Sequence, residues 1–221
     1  FLRDNISSMA VFADGKQLAT LTDEQGESVV RISNPDGSKE QAFFKYPFKD
    51  WLLLASRLEL YLQTKADSSF AGSLFQLSKN DYKKIMISIP GLTAAVNPAG
   101  QYIVSATATG SSFTSSLFNT KTGETKPLTV PVLPEKCVWT ADQTFICATP
   151  KNIPTAGYPE SWYRGRVHFS DNLVVINPSS GQTQLKAVSG VFDITAPQYS
   201  SVTKTLYFID KQSGILFKTA L

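Results

Sequence analysis

The stretches Val11-Phe12-Ala13-Asp14-Gly15-Lys16-Gln17-Leu18 and Val96-Asn97-Pro98-Ala99-Gly100-Gln101-Tyr102-Ile103 share one plan. An apolar run enters a turn of Asp, Asn, Pro, Ala and Gly, and a second apolar run leaves it. These turn residues supply the backbone angles and local side-chain bonds that tight turns require. The plan degenerates but survives at Val138-Trp139-Thr140-Ala141-Asp142-Gln143-Thr144-Phe145, and turns of the same series fall at Ala55-Ser56-Arg57 and Tyr199-Ser200-Ser201. A second series runs through Asn34-Pro35-Asp36-Gly37, Ser78-Lys79-Asn80-Asp81, Thr120-Lys121-Thr122-Gly123 and Pro178-Ser179-Ser180-Gly181. Lys211-Gln212-Ser213-Gly214 comes earlier in its unit and reads either as a fifth member or as a different turn.

Between the turns lie runs such as Leu58-Glu59-Leu60-Tyr61-Leu62, Tyr102-Ile103-Val104-Ser105-Ala106, Asn172-Leu173-Val174-Val175-Ile176 and Thr205-Leu206-Tyr207-Phe208-Ile209. Short, partly alternating runs rich in β-branched and aromatic residues predict strands. No stretch shows helical apolar spacing with a cap at each end. The chain therefore reads as all-β, in five units at about 6–42, 43–88, 89–131, 132–188 and 189–221, each of three to four antiparallel strands. A turn period of roughly 35–55 residues is that of propeller blades, and the expected fold is a single β-propeller domain. A sandwich need not repeat its turn chemistry at this spacing, and a solenoid repeats faster and more strictly. Two arrangements satisfy the pattern. Either residues 1–5 supply a closing outer strand to unit five, or the units are part of a larger propeller with blades upstream of Phe1, which is not a Met.

The repeated plan resembles WD40-like and TolB-type propeller repeats of exported bacterial proteins. From about Trp51 to Leu221 the chain is also similar to an uncharacterised group of predicted bacterial envelope propellers. That similarity is carried by Ile89-Pro90-Gly91-Leu92-Thr93, Pro134-Glu135-Lys136-Cys137-Val138-Trp139 and Tyr158-Pro159-Glu160-Ser161-Trp162-Tyr163-Arg164-Gly165. It implies a propeller outside the cytoplasm (periplasmic, cell-surface or secreted) and assigns no activity.

Composition narrows the function classes. The chain has 221 residues, 42% hydrophobic and 18% charged, with a net charge of +3. Its apolar fraction is too high for a disordered chain. No apolar run approaches the roughly 18–20 residues of a membrane helix, so any anchor is expected upstream. The lysines form only small clusters, Lys79, Lys83 and Lys84 around Tyr82, and Lys121 with Lys126. They read as solvated strand edges that discourage aggregation, and no nucleic-acid partner is expected.

A hairpin centred on Asp142 sets Trp139 opposite Phe145 and Cys137 opposite Cys147. Opposed Cβ atoms lie about 4.5–5.5 Å apart and a disulfide needs about 3.5–4.5 Å, so this register permits a bridge. A one-residue slip would part the sulfurs, and two reduced core cysteines are the other reading. A bridge would fit an oxidising compartment. With two cysteines and the single histidine His168, no metal site and no cofactor is expected. His168 beside Ser170 and Asp171 lacks a nucleophile elbow and reads as structural or solvated.

Three functional readings follow. The leading one is a non-catalytic extracytoplasmic scaffold that binds a protein or an envelope component. Its contact residues are sought in the longest departure from the repeat, about 150–168, where Pro150, Pro154, Pro159, Gly157 and Gly165 forbid a regular hairpin. That segment holds Tyr158, Trp162, Tyr163 and Arg164, residue types that dominate binding hot spots. The competing account of Trp162 is a plug for the channel or a cover for a blade edge. The second reading is a propeller glycoside hydrolase, with two carboxylates at the channel mouth drawn from Asp50, Glu59, Asp171 and Asp193. The third is a purely structural part of a surface assembly.

Overall fold

The computed structural model describes residues 3–65, 67–141 and 144–221. Its strands form five antiparallel sheets, each a simple meander in chain order. The first holds β1 (Ile6–Val11), β2 (Leu18–Glu24), β3 (Glu27–Ser33) and β4 (Gln41–Tyr46). The second holds β5 (Trp51–Ala55), β6 (Leu60–Thr64), β7 (Ala71–Ser78) and β8 (Asp81–Pro90). The third holds β9 (Thr93–Val96), β10 (Tyr102–Thr109), β11 (Ser112–Asn119) and β12 (Thr125–Pro127). The fourth holds β13 (Cys137–Ala141), β14 (Thr144–Pro150), β15 (Asp171–Ile176) and β16 (Thr183–Lys186). The fifth holds β17 (Ile194–Ser200), β18 (Thr205–Asp210) and β19 (Leu216–Ala220).

The two turn series keep their places. Each member of the first joins the first and second strands of a sheet, and its fourth member, at Asp142 and Gln143, lies outside the described residues. The second series joins third and fourth strands, except that the turn at Lys211–Gly214 joins the second and third strands of the fifth sheet. It is therefore a different turn with the same chemistry. The Gly214 amide bonds the Asp210 carbonyl at 2.8 Å, as the Gly181 amide bonds the Asn177 carbonyl at 2.8 Å. Gly100 is favoured as glycine by its backbone angle, and the Glu59 carboxylate would have to move to admit a side chain there. Its φ is +72°, and an added Cβ would stand 1.7 Å from a Glu59 carboxylate oxygen.

Side-chain alternation decides how the sheets stack. On β14, Phe145 and Cys147 pack with Tyr102, Val104 and Leu117 of the third sheet. The intervening Ile146 and Ala148 pack with Ile194, Leu206 and Phe208 of the fifth. On β10, Ile103 faces Tyr61, Leu74 and Met86 of the second sheet, opposite Tyr102 and Val104. On β6, Leu60 and Leu62 face Phe12, Leu21 and Val30 of the first. Central strands are thus buried on both faces, with four apolar layers between five sheets. Each large aliphatic side chain so buried contributes about 1.5–3 kcal/mol. The first strands lie innermost, β1 against β5, β5 against β9, and β13 against β17. A short 3-10 helix, Pro134–Lys136, sits between β9 and β17. Serial layers around a shared line of first strands make a β-propeller and exclude a two-layer sandwich.

The closing strand expected of residues 1–5 falls partly on residues that are not described. Phe1 and Leu2 lie outside the described residues, and Arg3 and Asp4 are not strand. Arg3 turns to the first sheet, where its guanidinium donates to Glu40 at 2.8 Å and lies 3.7 Å from Glu24. The fifth sheet has three strands among the described residues. Among the described residues, no packing as extensive as that of β1 on β5 joins β17 to β1.

Cys137 and Cys147 are directly paired across β13 and β14 and form a disulfide, with Cα atoms 4.0 Å apart. On the loop-closure account such a short loop contributes about 2–3 kcal/mol.

Candidate interaction site

The break between β14 and β15 is an ordered insert that leaves the fourth sheet and lies across its neighbours. Pro159 opens a one-turn helix, α1 (Glu160–Tyr163), and Gly165, at φ +67°, closes it. The Gly165 amide bonds the Trp162 carbonyl at 3.1 Å and the Arg166 amide bonds the Ser161 carbonyl at 2.9 Å. A left-handed residue in this place satisfies carbonyls that the helix end orphans.

Three neighbouring sheets hold the insert. Both Glu160 carboxylate oxygens reach the 65–70 loop of the second sheet, accepting from the Ser68 amide at 3.0 Å and from the Ser68 hydroxyl. The Ala156 amide bonds the Ser111 carbonyl of the third sheet at 3.1 Å. Toward the fifth sheet, the Trp162 indole N–H donates to both Asp193 oxygens, at 2.9 and 3.1 Å. Beneath the insert, Tyr158, Trp162 and Phe169 form an aromatic layer over Ala106, Phe113 and Leu133. The Tyr158 hydroxyl donates to the Pro154 carbonyl at 2.6 Å.

The four contact residues expected from the sequence therefore divide. Tyr158 and Trp162 are 1% and 3% exposed and belong to the core of the insert. The plug account of Trp162 describes its position. Tyr163 is 39% exposed and Arg164 is exposed. The Tyr163 hydroxyl donates to Glu135 Oε1, and its ring flank stays open. Burial, and then the neighbouring Glu135 charge, holds the Tyr163 hydroxyl well above its ordinary pKa. Burial likewise raises the Glu135 carboxyl. Arg164 makes no side-chain hydrogen bond or ion pair among the described residues. Tyr163 and Arg164 line a cleft of about 320 Å³ with Glu160, and with Leu52, Lys65 and Asp67 of the second sheet.

Under Trp162 lies a fully buried ion cluster. Lys136 Nζ stands 2.6 Å from Asp193 Oδ1 and 2.7 Å from Asp171 Oδ2, and all three side chains are 0% exposed. Nζ is 5.0 Å from the Trp162 ring centre and 4.7 Å from that of Phe169. The Ile194 amide donates to Asp171 Oδ2 at 2.7 Å, and the Asp193 amide to Asp210 Oδ1 at 2.9 Å. His168 Nδ1 lies 3.4 Å from Asp193 Oδ2 at the solvent side. Asp171 Oδ1 has no hydrogen-bond partner among the described residues. Two of the four carboxylates weighed for hydrolysis thus meet, but around an ammonium and away from solvent. Asp50 is exposed beside Lys65, and the Glu59 carboxylate accepts from the Ser56 hydroxyl at 2.8 Å. None of the four supplies a solvent-facing pair. Lys136 and Glu135 were not among the expected site residues. Their signal was a charged pair set between Leu133 and Cys137, at the mouth of an apolar strand.

Burial pushes the Asp171 carboxyl up to about 6, against the opposing pull of Lys136. An unfolded aspartate titrates near 3.9, so between about pH 4 and 6 the folded chain holds the extra proton. This group therefore favours folding most at low pH, and that contribution is lost as pH rises through about 6. Asp171→Asn is expected to flatten that part of the stability profile, read as urea midpoints from about pH 4 to 7. An unchanged slope would refute the assignment.

No family model matches the chain, and no curated protein matches it. Solved structures do. TolB from Acinetobacter baumannii superposes with a TM-score of 0.62 at 13% identity, over 98% of this chain and 52% of that one. The β-propeller domain of the trilobed protease from Pyrococcus furiosus, described as having an open velcro topology, gives 0.58 at 12% identity, over 97% and 68%. The C-terminal WD40 domain of Sif2 gives 0.62 at 14%, over 99% and 58%. At such identities the likeness shows the fold, a TolB-like and WD40-like β-propeller. The chain spans about half of TolB and somewhat more of the other two. Among the described residues no helix is long and apolar enough to cross a membrane.

Proposed function

We propose that this chain is a non-catalytic propeller scaffold that binds a protein or another envelope component through the face covered by the insert. The observation that carries this reading is the pinning of the insert to three neighbouring sheets, through Ala156 and through Glu160 and Trp162 of α1, which holds Tyr163 and Arg164 at the rim of a cleft. Exposed aromatic and Arg side chains on a loop held by a rigid scaffold are the usual makings of a contact site. Glycoside hydrolysis fits less well, because the two carboxylates that meet are buried on Lys136. A place outside the cytoplasm is supported by the Cys137–Cys147 disulfide, since such bonds persist in oxidising compartments. The TolB-type resemblance points the same way.

The test is capture from envelope extracts with the whole chain as bait. Tyr163→Ala combined with Arg164→Ala is expected to abolish capture while keeping the native circular dichroism spectrum. Arg164→Ala alone, which breaks no side-chain hydrogen bond or ion pair among the described residues, is expected to weaken capture with an unchanged melting curve. Lys121→Ala, in the turn between β11 and β12, serves as the control. Equal capture by the double variant would remove the insert face from the reading.

A further inference from the structure

We propose that the cleft beside α1 takes an acidic peptide segment, in which a carboxylate lies next to a large apolar side chain. The inference rests on the scaffold reading and names the chemistry of its partner. Leu52 and the open flank of the Tyr163 ring give the cleft an apolar wall. Its two carboxylates are already engaged. Glu160 is spent on the Ser68 amide and hydroxyl, and Asp67 accepts the Ser69 amide at 2.8 Å. Lys65 is drawn 3.2 Å from Asp50. Hydrogen bonds occupy the two carboxylates without cancelling their charge. The one lining cation with neither a hydrogen bond nor an ion pair among the described residues is Arg164, whose planar fork suits a carboxylate.

The surroundings reinforce that sign. Arg166 is exposed just past α1, and Lys211 Nζ lies 5.4 Å from the Trp162 ring centre and 3.5 Å from the Tyr163 carbonyl. On the inner side, Asp171 and Asp193 are closed off around Lys136 and do not face the cleft. About 320 Å³ is the small end of ligand sites, enough for a side chain and its charged neighbour. A nucleic-acid strand needs a row of cations along its backbone, and only Lys65 and Arg164 line the cleft.

The experiment is an NMR titration of the whole chain with four blocked hexapeptides, carrying Phe-Glu, Phe-Gln, Phe-Lys or Ala-Glu at the centre of a Gly-Ser sequence. Phe-Glu is expected to perturb the Tyr163 and Arg164 amides and to bind about tenfold tighter than Phe-Gln, as one charge-assisted pair would give. Phe-Lys and Ala-Glu are expected to be weaker still. Arg164→Gln should erase the preference for Glu over Gln while keeping that for Phe over Ala. Equal binding of the Glu, Gln and Lys peptides would overturn the acidic class while the contact face stands. Failure of every peptide at millimolar concentration would overturn the proposal too. The contact face falls only when the capture experiment is indifferent to Tyr163 and Arg164.

Discussion

Lys136→Met is expected to destabilise the chain by about 3–5 kcal/mol at neutral pH, the usual consequence of removing one partner from a buried ion cluster. Methionine nearly matches the lysine in length, so the substitution opens little space. What it removes is, among the described residues, the one cation in direct contact with both Asp171 and Asp193, all three side chains being 0% exposed. His168, 3.4 Å from one Asp193 oxygen, lies 41% exposed and does not reach Asp171. The loss should shrink as pH falls through about 6, where Asp171 takes up a proton. Adding Asp171→Asn and Asp193→Asn to Lys136→Met should restore most of the stability, because a neutral cluster carries no uncompensated charge. Urea midpoints at two pH values measure all of this. A loss under about 1 kcal/mol for Lys136→Met would mean that the cluster is not the anchor described here.

Trp162→Ala is expected to cost about 3–5 kcal/mol, the range for emptying a buried aromatic site. The indole is 3% exposed, stacks on Phe169 at 17° between planes, and covers Lys136. Its N–H also leaves two Asp193 contacts unmade. Trp162→Phe separates the two contributions. It keeps most of the apolar area and loses the donor, which costs about 1–3 kcal/mol for a buried acceptor left unmet. The damage should centre on the insert, so protease cleavage between Lys151 and Arg166 should rise in Trp162→Ala while the sheets melt cooperatively. Wild-type resistance to cleavage in the alanine variant would refute the plug role.

These two side chains also mark where sequence reading reached its limit. Trp162 was noticed for its company of Tyr158, Tyr163 and Arg164, and hot-spot chemistry and core chemistry use the same residue types. Only the position of Asp193 decides which way the ring turns. Arg164 carries no such inward partner and stays on the surface with Tyr163. Asp171 and Asp193 share their place beside strands with Asp50 and Glu59, and nothing in the sequence separates the two that meet, buried on Lys136, from the two that do not. The partner lysine left only a faint trace, a charged pair at the mouth of an apolar strand, because a buried cation is the same residue in sequence as a solvated one.

The repeat, its turns and the alternation along each strand were set by the sequence alone. Each depends on residues a few positions apart: Gly and Asn where the backbone must turn, and apolar side chains at every second place. The opposition of Cys137 and Cys147 follows from the same local rule, since both lie on one hairpin. Tertiary structure alone decided that the 150–168 segment lies across three sheets, that Tyr158 and Trp162 are interior, and that Lys136 neutralises two distant aspartates. Those outcomes depend on which loops the stacked sheets bring together, and the charges of residues 136, 171 and 193 meet only after that stacking has excluded water.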